Sequence, residues 1–192
     1  MKHHLNVIII ALRVVLFVAA IMCIYNLIRA FGLIQNDDPI VTNEFFQDYF
    51  TAPVLIPGEI SLNDMEHLGA RYFFNVKWLA VGFMIAYAAL LFYGMTGVIR
   101  LYKCLLKIEK GQMFYNEQSI QFRKVGITVI IFAKLKYLLF CFTGIMSYLD
   151  ISTFFKQIPA FLILYLIGKL IFIMSYMAEK GEFIKEENEL TI

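Results

Sequence analysis

The sequence predicts an all-α integral membrane protein with four transmembrane helices, a short interfacial cytoplasmic helix and a structured outer loop. Hydrophobic residues make up 60% of the 192 residues and charged residues only 17%, whereas a soluble domain is about 45–50% apolar and about 25% charged. A water-soluble enzyme of this length could not bury so much apolar surface. Intrinsic disorder is excluded as well, because aromatic residues alone reach 16%.

Four apolar stretches are each long enough to cross a bilayer, which takes roughly 20 residues. They form one membrane domain, with spans at residues 5–31, 76–98, 127–149 and 158–178. The first span is expected to stay as an anchor, because its apolar run is too long for a signal peptide and shows no A-x-A-like cleavage site. The intervening segments are an outer loop (32–75), a cytoplasmic loop (101–126) and a tail (179–192).

The distribution of Lys and Arg predicts the orientation, since cytoplasmic loops carry an excess of these residues. One side of the predicted membrane has Lys2, Arg100, Lys103, Lys107, Lys110, Arg123, Lys124, Lys180 and Lys185. The other side has only Arg29, Arg71, Lys77 and Lys156. Both termini and the 101–126 loop are therefore expected in the cytoplasm.

The cytoplasmic loop contains helix stop and start signals. The second helix is expected to continue into the cytoplasm and stop at Gly111, because glycine suits a left-handed C-cap. Asn116 can cap the next helix with its side-chain oxygen. That helix should lie at the inner membrane interface and turn into the third span near Gly126.

Two segments of the chain carry specific motifs. The first is Lys107-Ile108-Glu109-Lys110-Gly111-Gln112-Met113-Phe114, followed by Arg123-Lys124-Val125-Gly126. The second is the C-terminal sequence Glu186-Glu187-Asn188-Glu189-Leu190-Thr191-Ile192. Together they resemble a bacterial membrane family, domain of unknown function 2975. The chain departs from the family pattern at Tyr115, where the family usually has Thr, and a tyrosine cannot cap a helix as Thr does.

The resemblance implies a four-helix bacterial inner-membrane protein, often encoded near a small Cro-like DNA-binding protein, with no known catalytic residue. It favours a regulatory module that binds this cytoplasmic regulator. Direct nucleic-acid binding is not expected, because the net charge is only +2. The residues predicted to bind the partner are Lys107, Lys110, Gly111, Phe114, Arg123, Lys124, Glu186, Glu187, Asn188 and Glu189.

Four cations, Arg13, Lys134, Lys136 and Lys169, lie within the predicted spans, whose interiors contain no Asp or Glu. One interpretation is that their side chains snorkel to the inner headgroups; Lys136, about 200° around the helix from Lys134, is expected to do so alone. The alternative function is binding or transport of an anionic lipid or small molecule. Its cavity, open to the cytoplasm, would be lined by Lys134, Tyr137, Tyr165, Lys169 and Tyr176.

Small residues on the second span, Gly82, Ala86, Ala89, Gly94 and Gly97, predict close helix packing within the bundle or between copies in a homo-oligomer. The three scattered cysteines indicate neither disulfides nor a zinc site. No phosphate-binding loop, nucleophile elbow or H-E-x-x-H motif occurs. We therefore expect no enzymatic activity, no catalytic residues, no metal and no cofactor.

Overall fold

A computed structural model of the chain describes residues 2–35, 76–110, 117–148 and 152–190. Four helices account for almost all of them: α1 (Lys2–Gln35), α2 (Val76–Glu109), α3 (Gln118–Tyr148) and α4 (Ser152–Leu190). Each is long and apolar enough to cross a membrane. For these residues, the prediction of an all-helical fold with four such helices is confirmed, whereas the predicted outer loop lies, from residue 36 onward, outside them.

The helices extend beyond the apolar stretches that predicted them. α2 continues past the end of its predicted span to Glu109, and the Lys110 N–H donates to the Leu106 carbonyl over 3.2 Å. It therefore ends close to Gly111, where the sequence places its stop. α4 begins at Ser152, passes through Pro159 and includes most of the predicted tail.

The prediction of a separate interfacial helix before the third span is wrong for the described residues, because α3 runs from Gln118 to Tyr148 without interruption. Gly126, the expected turning point, lies buried where α3 crosses α4. A Cβ atom there would lie 3.0 Å from the Gly168 carbonyl oxygen and 3.1 Å from the Phe172 nitrogen. Gly126 thus allows two backbones to approach closely and does not break the helix.

α2 and α3 form the centre of the bundle, and α1 and α4 lie at its sides. In the most apolar stretch of each helix, 39% of the residues of α2 and 33% of those of α3 are buried, against 17% in α4 and 6% in α1. The first core cluster joins α1, α2 and α3, and includes Leu33, Phe83 and Phe140. The second joins α2, α3 and α4, and includes Cys104, Phe122 and Ile171. Each outer helix therefore packs on the central pair.

The small residues of α2 divide into two groups. A Cβ at Gly94 or Gly97 would lie 2.9 Å from Phe132 or Thr128 of α3, so these two glycines allow the central helices to pack closely. Gly82 faces open space. Ala86 and Ala89 line an apolar groove of about 710 Å³ between α2 and α3. Close packing within the bundle is thus seen at Gly94 and Gly97, while packing between copies stays a prediction.

Candidate functional site

One end of the bundle collects most of the Lys and Arg residues whose side chains the structure describes. Here α1 begins, α2 ends, α3 begins and α4 ends, and we call it the basic end. Its exposed cations are Arg100, Lys103, Lys107, Lys110, Arg123, Lys124 and Lys180. Near it, the Nε atom of Arg13 donates a hydrogen bond of 2.9 Å to the Tyr102 hydroxyl, which joins α1 to α2. Arg13, an intramembrane cation in the sequence, therefore has a neutral partner.

At the basic end, a carboxylate of α4 binds the first turn of α3. The Ser119 backbone N–H donates to Glu182 Oε1 over 2.9 Å, and the Ser119 hydroxyl donates to Glu182 Oε2 over 3.1 Å. The first N–H groups of a helix have no partner within it, and its N-terminus carries partial positive charge. Glu182 meets both requirements, and we call this contact the Ser119–Glu182 clasp.

The sequence predicted a different cap for α3. Asn116 lies outside the described residues, and the next residue, Glu117, has a positive φ of 72°. This left-handed conformation is uncommon for a non-glycine residue. The capping group that the structure describes comes from Glu182, 63 residues further along the chain than Ser119, and the Asn116 cap stays a prediction. Sequence patterns reveal only local caps, so nothing in the sequence indicated this one.

The amide of Gln118 adds a second unusual feature beside the clasp. Gln118 is 4% exposed, and its Oε1 atom has no hydrogen-bond partner among the residues that the structure describes. Buried acceptors of this kind are rare, because desolvation without a hydrogen bond costs about 1–3 kcal/mol. The start of α3 thus combines a charged contact between helices with a buried carbonyl oxygen that no described residue satisfies.

The residues predicted to bind a partner gather at the basic end wherever they are described. Lys107, Lys110, Arg123 and Lys124 are exposed there, while Gly111 and Phe114 lie outside the described residues. The guanidinium carbon of Arg123 lies 5.9 Å from the centre of the Phe172 ring of α4. The four C-terminal residues predicted to bind the partner belong to the last turns of α4. Glu186 and Glu187 are exposed, and the side chains of Asn188 and Glu189 are not described.

The predicted anion-binding residues lie along the contact between α3 and α4. The Gly126–Gly168 crossing fixes an antiparallel register in which Ile130 meets Gly168. Further along, the ring centres of Tyr137 and Phe161 are 5.1 Å apart. The Phe161 ring in turn lies 5.7 Å from that of Tyr165. We call this line of contacts the α3–α4 seam, and it brings Tyr137 and Tyr165 together through Phe161.

Two predicted lysines border the seam at the protein surface. Lys134 and Lys169 are both exposed. The Lys169 ammonium lies 5.6 Å from the centre of the Tyr165 ring, one turn towards the start of α4 and away from the basic end. Tyr176 is exposed nearer the basic end, with its ring 5.5 Å from that of Phe172. The ammonium of Lys169 is therefore not extended towards the basic end, as snorkelling to the inner headgroups would require.

Lys136 lies on a different face of α3 from Lys134, as its position in the helix predicts. Its ammonium is 5.8 Å from the centre of the Phe140 ring, and the side chain is half-buried. The Phe140 ring contacts the rings of Phe83 and Tyr87, which places this face against α2. Lys136 thus faces the core instead of extending alone to a membrane surface.

Within the residues that the structure describes, no three His, Cys, Asp or Glu side chains come together as a metal site. Comparison of the chain with protein-family models, with curated proteins and with solved structures finds no match in any of the three.

Proposed function

We propose that the chain is a multi-pass protein of a bacterial inner membrane that holds a small cytoplasmic DNA-binding regulator at its basic end. Four helices of membrane-spanning length and composition support the membrane location. The concentration of exposed Lys and Arg at one end supports an orientation with that end, and both termini, in the cytoplasm. The proposal includes no catalytic step.

The observation that carries this proposal is the Ser119–Glu182 clasp. It joins the start of α3, which follows the first family-like segment, to the part of α4 that precedes the acidic C-terminal motif. Two parts of the chain that lie far apart in the sequence, each next to one of these motifs, are thereby held in contact. A binding surface assembled from both would explain why the resemblance is concentrated in these two segments.

The exposed acidic side chains in the last turns of α4 fit a basic partner. Glu179, Glu186 and Glu187 are exposed there, next to the exposed apolar side chains of Phe183 and Ile184. DNA-binding proteins carry a basic surface that attracts anions. An acidic helix with an apolar stripe can therefore contact such a regulator at the surface that otherwise meets DNA.

The proposed orientation predicts the result of reporter fusions. Alkaline phosphatase, which is active only outside the cytoplasm, should be inactive when fused after Ile192 and active when inserted after Gly58 in the predicted outer loop. A cytoplasmic fluorescent reporter should give the reverse pattern. An active phosphatase at the C-terminus would contradict the orientation and, with it, a cytoplasmic partner at the basic end.

A charge reversal in the tail tests the partner. We expect the Glu186→Lys, Glu187→Lys variant to capture about tenfold less of the DNA-binding protein than the unaltered chain does. Opposite charges at an interface select partners, and like charges exclude them. The measurement is cross-linking in membranes of the native host, with an affinity tag at the N-terminus and quantitative mass spectrometry.

The matched control is Glu59→Lys, Glu66→Lys in the predicted outer loop, which makes the same charge change on the opposite side of the membrane. It should leave the captured proteins unchanged. If no DNA-binding protein is captured by the unaltered chain, or if the tail variant captures it equally well, the proposed function is wrong.

A further inference from the structure

We propose that the α3–α4 seam binds an anionic phospholipid of the inner leaflet, with Lys134 and Lys169 as its deepest contacts. This inference goes beyond the binding of a cytoplasmic regulator and does not depend on it, except for the shared orientation in the membrane. It rests on the placement of four cations along one side of the seam: Arg123, Lys134, Lys169 and Lys180.

The register of the seam places Lys134 and Lys169 near each other. Ile130 meets Gly168 and Tyr137 meets Phe161, so the Cα atoms of the two lysines differ by roughly five residues, or ~7.5 Å, along the helix axes. Viewed down each helix from its N-terminus, the lysine is rotated away from the contact line in the sense in which the chain winds. In an antiparallel pair, that displacement leads to the same side of the seam.

The directions of the two side chains bring their charges closer still. Side chains in a helix lean towards its N-terminus. Lys169 follows this rule, because its ammonium lies over Tyr165, four residues earlier in α4. Lys134 belongs to α3, which runs the opposite way, so its lean is towards the level of Lys169. The two ammonium groups therefore converge from opposite directions instead of separating.

Further cations continue the same side of the seam to the basic end. Arg123 lies over Phe172, and the next ring along α4 is that of Tyr176. Tyr176 and Lys180 line an open groove of about 630 Å³, and Glu179 is the acidic residue in its lining. A phosphate that enters from the cytoplasmic surface thus meets Lys180 and Arg123 first and the lysine pair beyond them.

The chemistry of the seam selects a lipid as the occupant. Charged side chains are costly in hydrocarbon, and lipid phosphates drawn inward are one way in which this cost is reduced. Leu138 and Leu162, both exposed, flank the seam beyond the lysine pair and present apolar surface for an acyl chain. A soluble anion would satisfy the charges but would leave this apolar surface without a role.

Native mass spectrometry of the purified full chain tests the proposal. The probes are dioleoyl phosphatidylglycerol and, as the zwitterionic reference, dioleoyl phosphatidylcholine, each added in mixed detergent micelles. The unaltered chain should retain phosphatidylglycerol in preference to phosphatidylcholine. The Lys134→Leu, Lys169→Leu variant should retain about tenfold less phosphatidylglycerol, since charge-assisted hydrogen bonds to phosphate are lost.

Two matched variants separate lipid binding from structural damage. Lys134→Arg, Lys169→Arg keeps both charges and should retain the lipid. Lys136→Leu removes one charge from the opposite face of α3 and should also retain it. Equal retention by the leucine double variant, equal loss in Lys136→Leu, or displacement of the lipid by inorganic phosphate would overturn the proposal. If the leucine variant does not fold, the same comparison is made with Lys169→Gln alone.

Discussion

Replacing Gly126 by valine is expected to lower the stability of the protein by about 2–3 kcal/mol. The new Cβ would lie within 3.0–3.3 Å of three backbone atoms of α4, the Gly168 oxygen and the nitrogen and Cα of Phe172. Backbone atoms cannot rotate away as a flexible side chain can, so the helices must separate. Overpacking of this kind typically costs about 1–3 kcal/mol, and valine adds two methyl groups to the clash.

The control for this variant is Gly82→Val in α2. That glycine also lies within a helix, but a Cβ there meets no atom within 4 Å. The control should therefore be neutral or slightly stabilising, because valine is a better helix former than glycine. Thermal unfolding in detergent should show a midpoint roughly 5–10 °C lower for Gly126→Val alone. Equal midpoints for the two variants would show that the α3–α4 crossing does not limit stability.

Removing the carboxylate of Glu182 should release the tail end of α4 from the start of α3. Glu182→Ala removes both acceptors used by Ser119, one for its N–H and one for its hydroxyl. Loss of a helix N-cap costs about 0.5–2 kcal/mol, and hydrogen bonds to a charged group are at the stronger end of their range. We expect the free energy of unfolding to fall by about 2 kcal/mol. Hydrogen exchange at residues 118–121 and proteolysis of the tail should both become faster.

Glu186→Ala is the matched control, because this glutamate lies one turn further along α4 and is exposed. It removes the same charge without touching the clasp, so exchange near Ser119 should not change. Glu182→Gln keeps an oxygen for the Ser119 N–H and should fall between the two alanine variants. If Glu182→Ala exchanged as slowly as Glu186→Ala, the clasp would not hold the two helices together.

The spans were predictable because their signal is local. Twenty consecutive apolar residues identify a membrane-length helix from composition alone. Three of the four predicted stretches lie wholly within helices of the structure, and the third, 127–149, coincides with α3 up to Tyr148. The end of α2 near Gly111 was predictable for the same reason, since a C-cap depends on one residue. The continuation of α3 through Gly126 was not predictable, because a glycine in a helical pattern indicates either a bend or a close approach of another backbone.

The candidate site was predictable only in part, and the limit is again distance along the chain. The stripe that contains Tyr165 and Lys169 follows from helical periodicity, and so does the placement of Lys136 on another face. The pairing of Ser119 with Glu182, and the direction of the Lys169 ammonium, depend on how separate helices meet. No periodicity within one helix contains that information.

The small share of α1 that its neighbours cover has a consequence for its behaviour in a bilayer. With only 6% of its most apolar stretch buried, the surrounding acyl chains form most of its environment. Its predicted apolar run of residues 5–31 is longer than the ~30 Å hydrocarbon layer when built at ~1.5 Å per residue. Bilayer thickness should therefore set the tilt of α1, with the Arg13–Tyr102 hydrogen bond as a pivot.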